Sequence, residues 1–153
     1  MSLPVEFHTE LVHQLHSWLR DRALFARCEY RLPHGRIADI IAIENNGELS
    51  IFEVKTTVKD SLLASAYEKY SPYCHRLYIA APDLQPHHTI DHNPYTIFPP
   101  KDRQTGWILL SDNSTALIKA ASYHHIPARR AYALREAILS DQTLANLNSP
   151  LTP

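Results

Sequence analysis

Three residues in the first half of the chain have the types and spacing for phosphoryl chemistry: Asp39, then after a spacer of thirteen residues Glu53, then Lys55. Two converging carboxylates bind a divalent cation and leave its remaining positions to water and phosphate oxygens. A neighbouring ammonium stabilises charge developing on the phosphoryl group or orients the attacking water. The chemistry would be metal-assisted hydrolysis of a phosphodiester. The ordinary alternative is that the charges fall near strand ends and Lys55 neutralises Glu53, because short motifs recur by chance.

The segment carrying these residues, Arg36 to Thr57, reads RIADIIAIENNGELSIFEVKTT. Two β-branched apolar runs, Ile37 to Ile43 and Leu49 to Val54, flank Asn45-Asn46-Gly47, the signature of an antiparallel hairpin. With a three-residue loop and Gly47 in the left-handed conformation, Glu44 pairs with Glu48 and Asp39 lies opposite Glu53. Lys55 is two residues on, so all three side chains share a face with Ile37, Ile41, Ile43, Leu49 and Ile51. A two-residue Asn46-Gly47 turn would slip the register by one and send Asp39 to the opposite face. The three-residue reading is adopted. Two facing carboxylates in an apolar strand pair repel, and neither buries readily without a cation.

Asp39, the spacer and Glu53-Val54-Lys55 resemble the D-x(n)-(D/E)-x-K core of the PD-(D/E)XK, or restriction-endonuclease-like, nuclease superfamily. A second resemblance covers nearly the whole chain. GRIADIIAI, IFEVKTTVKD, YEKYSPYCHRLYIA, TGWILLSD and IPARR are similar, in order and spacing, to the MmcB family of small bacterial DNA-repair-associated proteins linked to mitomycin C sensitivity. Two positions depart from the pattern. Ala38 stands where a proline usually precedes the first acidic residue, and His75 stands where an acidic residue usually follows Cys74.

The resemblance implies an α+β fold with an αβββαβ core: a mixed central sheet flanked by helices, extended here by a C-terminal hairpin and helix. It implies Mg²⁺ or Mn²⁺ held by Asp39, Glu53 and the Val54 carbonyl, with Glu10 of the first helix as a further candidate ligand. Lys55 would complete a catalytic set with Asp39 and Glu53. DNA is the implied substrate, and other repair proteins are candidate partners. The function read is thus a DNA nuclease acting in repair. The alternatives are a nucleic-acid-binding repair accessory of the same fold that hardly cleaves, and a structural or protein-interaction domain.

The elements that must position the site follow in order. Pro4 to about Arg22 reads as a helix with Leu11, Leu15, Trp18 and Leu19 on one stripe, and its His8, His13 and His16 read as surface residues. Ala23 to Leu32 reads as a strand, and Pro33-His34-Gly35 as the turn into the hairpin. A helix from about Lys59 to Cys74, broken by Ser71-Pro72, carries Leu62, Leu63, Ala66, Tyr67 and Tyr70 as a buried stripe. Arg76 to Ala81 is a fourth strand, Gly106 to Leu110 and Thr115 to Ala121 a second hairpin, and Ile126 to about Leu147 the last helix. Between Pro82 and Thr105 five prolines and no periodicity mark a loop, whose His87, His88, Asp91 and His92 read as polar surface rather than a metal site. Arg36, Lys59, Lys69, Arg129 and Arg130 are the candidate phosphate contacts, each with a solvated or salt-bridged role as its plain alternative.

The whole composition bounds these readings. At 153 residues and 44% hydrophobic the chain suits one domain, expected over 1–147 with a disordered tail at 148–153. No apolar run approaches the ~18 residues of a membrane span, and the start lacks the charge and apolar core of a signal peptide, so a cytoplasmic protein is expected. Cys28 and Cys74 form no CxxC and read as buried free thiols. A net charge of -1 places any nucleic-acid contact in local patches. Oligomeric state is left open, a homodimer included.

Overall fold

The computed structural model describes residues 5–56, 62–83, 100, 102–112 and 114–148. Helix α1 (Val5–Arg20) leads into β1 (Ala23–Arg31), β2 (Ile37–Glu44) and β3 (Leu49–Val54), then α2 (Leu62–Tyr70), a 3₁₀ turn at Ser71–Tyr73 and β4 (Arg76–Pro82). Strands β5 (Gly106–Leu110) and β6 (Thr115–Lys119) and helix α3 (Ala128–Asn148) follow. The six strands form one sheet in sequence order. Pairs β1–β2, β2–β3 and β5–β6 are antiparallel, and β3–β4 and β4–β5 parallel. This is the expected mixed sheet in αβββαβ order, with the additional hairpin and helix.

Alternation along the buried strands explains the layers. Ile40, Phe52, Val54, Ala80, Ile108 and Leu110 pack against Leu11, Val12, Leu15 and Leu19 of α1. Their neighbours in sequence, Ile41, Ile43, Leu49, Ile51, Leu77 and Ile79, pack with Ala66 and Tyr70 of α2 and Ala131, Leu134 and Ile138 of α3 on the other face. A central β3 sealed on both faces is buried at every position, Ser50 and Glu53 included. That leaves Glu53 in a medium hostile to its charge.

The hairpin register is the one the three-residue loop dictates. Ile40, Ile41, Ala42 and Ile43 pair with Phe52, Ile51, Ser50 and Leu49. Glu44 and Gly47 amides donate to the Glu48 and Glu44 carbonyls, each at 2.8 Å, and Gly47 has φ +88°. A Cβ at Gly47 would meet nothing within 4 Å, so substitution there strains only the backbone. Gly47→Ala is therefore expected to lower unfolding free energy by about 1 kcal/mol without altering the site, measurable by urea denaturation.

Boundary differences have local causes. The helix expected to run to Cys74 gives way to a 3₁₀ turn after Tyr70, because Pro72 lacks an amide proton and disfavours helical geometry at Ser71. The last helix starts at Ala128, Pro127 serving instead as the acceptor for the Ala131 amide at 3.0 Å. Residue Ile118 is an extra position in β6, since Trp107 pairs with Lys119 but Ile108 with Leu117. Cys74 is buried, whereas Cys28 is only half-buried. His87, His88, Asp91 and His92 lie outside the described residues, as does the tail beyond Asn148. No helix among the described residues is long and apolar enough to cross a membrane.

Candidate active site

Regular pairing between β2 and β3 stops at Ile40 and Phe52, and the next two residues exchange side chains for ladder bonds. The Asp39 amide donates to Glu53 Oε2 at 2.8 Å, and the Val54 amide donates to Asp39 Oδ2 at 2.7 Å. Each carboxylate thus accepts a backbone amide where regular pairing has ended, which fixes the orientation of both. Asp39 and Glu53 stand at opposite positions of the two strands, as the register requires. A cause of the irregularity lies one strand away. Glu29 of β1, in register with Asp39, has φ +50°, a rare conformation for a non-glycine residue. Across it Cys28 packs with the α1 cluster while Tyr30 joins the opposite one, and their partners Ile40 and Ala38 divide in the same way.

That reversal modifies the one-sided arrangement expected of the three charged side chains. Glu53 and Lys55, both only 4% exposed, share the α2 side, with Nζ 3.7 Å from Glu53 Oε1. Asp39 instead reaches α1, its Oδ2 lying 3.4 Å from His8 Nε2. The chain twists at Asp39, so strict alternation no longer predicts its side. The backbone holds Lys55 in place through its amide, which donates to the Ala80 carbonyl at 2.8 Å.

Burial raises the Glu53 carboxyl to about 7, with the Asp39 charge adding to the rise; the Asp39 amide, Lys55 and Tyr70 act against it. The His8 imidazole is also raised, chiefly by its hydrogen bond to Asp39. Both shifts report one condition, an excess of negative charge in a dry place.

Two residues here escape sequence reasoning. Tyr70, classed by spacing as core, donates its hydroxyl to Glu53 Oε1 at 3.1 Å. His8, classed as surface, places Nε2 3.2 Å from the Val54 carbonyl and 3.4 Å from Asp39 Oδ2. Neither contact has a local signal, since the partners are 17 and 46 residues apart in sequence.

The remaining candidates divide. Glu10 is exposed and lines a cleft of about 250 Å³ with Asp83 and Asp112, so α1 turns His8, not Glu10, to the carboxylate pair. Arg36 is exposed and lies near enough to Tyr70 for its charge to bear on that hydroxyl. Lys69 is half-buried at the end of α2, and its carbonyl lies 3.1 Å from His34 Nε2. Arg130 donates to the Pro72 carbonyl at 3.0 Å, and Arg129 is exposed on the first turn of α3. Lys59 lies outside the described residues. Of the two departures from the family pattern, His75 anchors the sheet, because its Nδ1 accepts the Leu49 amide at 2.9 Å where β3 begins.

The donor set fits a hard divalent cation. Asp39 Oδ2 and the Val54 carbonyl converge on one atom, His8 Nε2, at 3.4 and 3.2 Å, and burial disfavours the Glu53 charge. Among the described residues no group of three or more His, Cys, Asp or Glu side chains forms a metal cluster. Two carboxylates and a carbonyl, with water and phosphate completing the sphere, are the pattern by which Mg²⁺ is held.

A family model described as "DNA repair protein MmcB-like" matches residues 10–150. Among solved structures, the SPO1766 protein of unknown function from Silicibacter pomeroyi is similar over 86% of this chain and 84% of its own, at 17% identity and a TM-score of 0.62. A repair endonuclease from Pyrococcus abyssi is a distant match at 17% identity and a TM-score of 0.32, covering 54% of this chain and 40% of its own. No curated protein matches the sequence.

Proposed function

We propose that this chain, which belongs to the MmcB-like DNA repair protein family, is a metal-dependent nuclease that hydrolyses DNA phosphodiesters. The observation that carries the reading is the pair of amide–carboxylate bonds, Asp39 N–H to Glu53 Oε2 and Val54 N–H to Asp39 Oδ2, with Lys55 Nζ 3.7 Å from Glu53 Oε1. The Asp39 charge and burial both disfavour the ionised Glu53 carboxylate at the end of this strand, a cost to folding. Residues that oppose folding but suit a cation point to a site.

Asp39, Glu53 and the Val54 carbonyl would hold Mg²⁺ or Mn²⁺, the oxygen-only set favouring the harder ion. The ion, when bound, neutralises phosphate charge and lowers the pKa of a water. Tyr70 and Lys55 fix the Glu53 carboxylate so that it does not need to reorganise as the reaction proceeds. Lys55, sealed from solvent on a rigid strand end, presents its ammonium where negative charge grows on the phosphoryl oxygens. His8, when protonated, supplies positive charge to Asp39, a bond that raises its imidazole above the usual value.

The test is incubation of wild-type protein with single-stranded, duplex, flapped and cross-linked DNA in Mg²⁺, Mn²⁺ or EDTA. The expected result is product from at least one substrate in metal and none in EDTA. Retention of a substrate on a gel with no cleavage in either metal would replace the nuclease by a DNA-binding repair accessory.

A further inference from the structure

A row of aromatic and cationic groups leads away from the carboxylate pair along one side of the molecule. It begins at Tyr70, bonded to Glu53, with Arg36 nearby. About one helical turn further on stands Tyr73 of the 3₁₀ turn, half-buried. The His34 ring, from the exposed turn between β1 and β2, lies 4.6 Å from the Tyr73 ring at 51°. His34 is held there through its Nε2, 3.1 Å from the Lys69 carbonyl. The Arg130 guanidinium lies 5.7 Å from the same tyrosine ring and is anchored on the Pro72 carbonyl. Three separate elements, the β1–β2 turn, the end of α2 and the start of α3, therefore converge on one aromatic ring. Glu68 is the single acidic residue of α2.

We propose that His34, Tyr73 and Arg130, with Arg36 and Lys69 beside them, form a track for an unpaired nucleic-acid strand, whose bases stack on the aromatic pair as its phosphates run toward the Asp39–Glu53 site. A base has a π-face on which Tyr73 or His34 can stack whatever its sequence, and an arginine over the ring adds cation–π attraction. Paired bases in an intact duplex are already stacked and cannot use such a platform. The substrate class is then single-stranded DNA, or the frayed and displaced strands of damaged duplex. The track also explains how a chain of net charge -1 addresses a polyanion, with local cations supplying phosphate contacts and aromatic groups the remainder.

The inference rests on the reading of the site as one that acts on DNA, and its test is run in EDTA so that binding is separated from cleavage. Fluorescence anisotropy would compare an oligodeoxythymidine of about 12 nucleotides, an abasic phosphodiester of the same length and the matching duplex. Wild type is expected to bind the thymidine strand roughly five- to a hundredfold more tightly than the abasic strand. Tyr73→Leu is expected to erase that preference and Tyr73→Phe to keep it, which separates stacking from folding. Arg130→Ala should weaken both single strands alike and lower the salt slope by about one. Equal affinity of wild type for thymidine and abasic strands, tighter binding of duplex, or a preference that survives Tyr73→Leu would each overturn the track while leaving the metal-dependent cleavage result standing.

Discussion

Lys55→Ala is expected to reduce metal-dependent cleavage by about 10²- to 10³-fold, the loss typical when one preorganised charge-stabilising donor is removed. The side chain is positioned for that role by the fold. It is 4% exposed, its backbone is tied to Ala80, and its ammonium stands 3.7 Å from Glu53 Oε1. In so dry a place an ammonium acts on neighbouring charge far more strongly than in water. The loss should fall on kcat rather than KM, because the charge that Lys55 meets grows only as the reaction proceeds. Lys55→Met controls for packing, since it keeps the apolar stem and removes only the charge. Affinity for Mn²⁺, read by calorimetry, should hold or tighten in both variants, as a cation is removed from beside the ligands. Cleavage by Lys55→Met within a few-fold of wild type would show that the lysine only neutralises Glu53, the plain alternative for this motif.

The difference between what the sequence discloses here and what it hides follows the range of the forces involved. The hairpin is legible because Asn45-Asn46-Gly47 fixes the register by local sterics, and register then fixes that Asp39 meets Glu53. The layers are legible because alternation and helical spacing sort Ile40 from Ile41 and place Leu11 and Leu15 on one stripe. His8 and Tyr70 are hidden because their roles depend on how two helices dock on opposite faces of a twisted sheet, which no local period encodes. Tyr70 even carries a misleading signal, for it completes the apolar stripe of α2 while its hydroxyl reaches Glu53. The twist itself, centred on Glu29, has no signature beyond a glutamate in a strand. It is also what turns Asp39 toward α1, so the least legible feature shapes the site most.

The second large effect is expected in stability, in protein stripped of divalent metal. Glu53 is raised from 4.5 to about 7 in the folded protein, by burial first and by the Asp39 charge second. Its unfolded counterpart releases a proton near 4.5, so between these values the native state holds more protons than the unfolded one. The contribution of this group is then fully present below about pH 4.5 and is lost as pH rises through about 7. Across that interval, at about 1.4 kcal/mol per pH unit, the loss is about 3 kcal/mol. His8, whose imidazole is raised by its bond to Asp39, acts in the same direction. Metal-free protein should accordingly melt at a lower temperature at about pH 8 than at about pH 5.5, against the usual behaviour of a protein whose carboxylates are paired by cations. Glu53→Gln should flatten most of that slope, since the amide fills the same space without the charge. Millimolar Mg²⁺ or Mn²⁺ should restore wild type at about pH 8 and do little for Glu53→Gln, because a ligand stabilises only the state that binds it. A melting temperature in EDTA that is as high at about pH 8 as at about pH 5.5 would mean that His8 and Lys55 already balance the pair, and that the site has no need of a further cation.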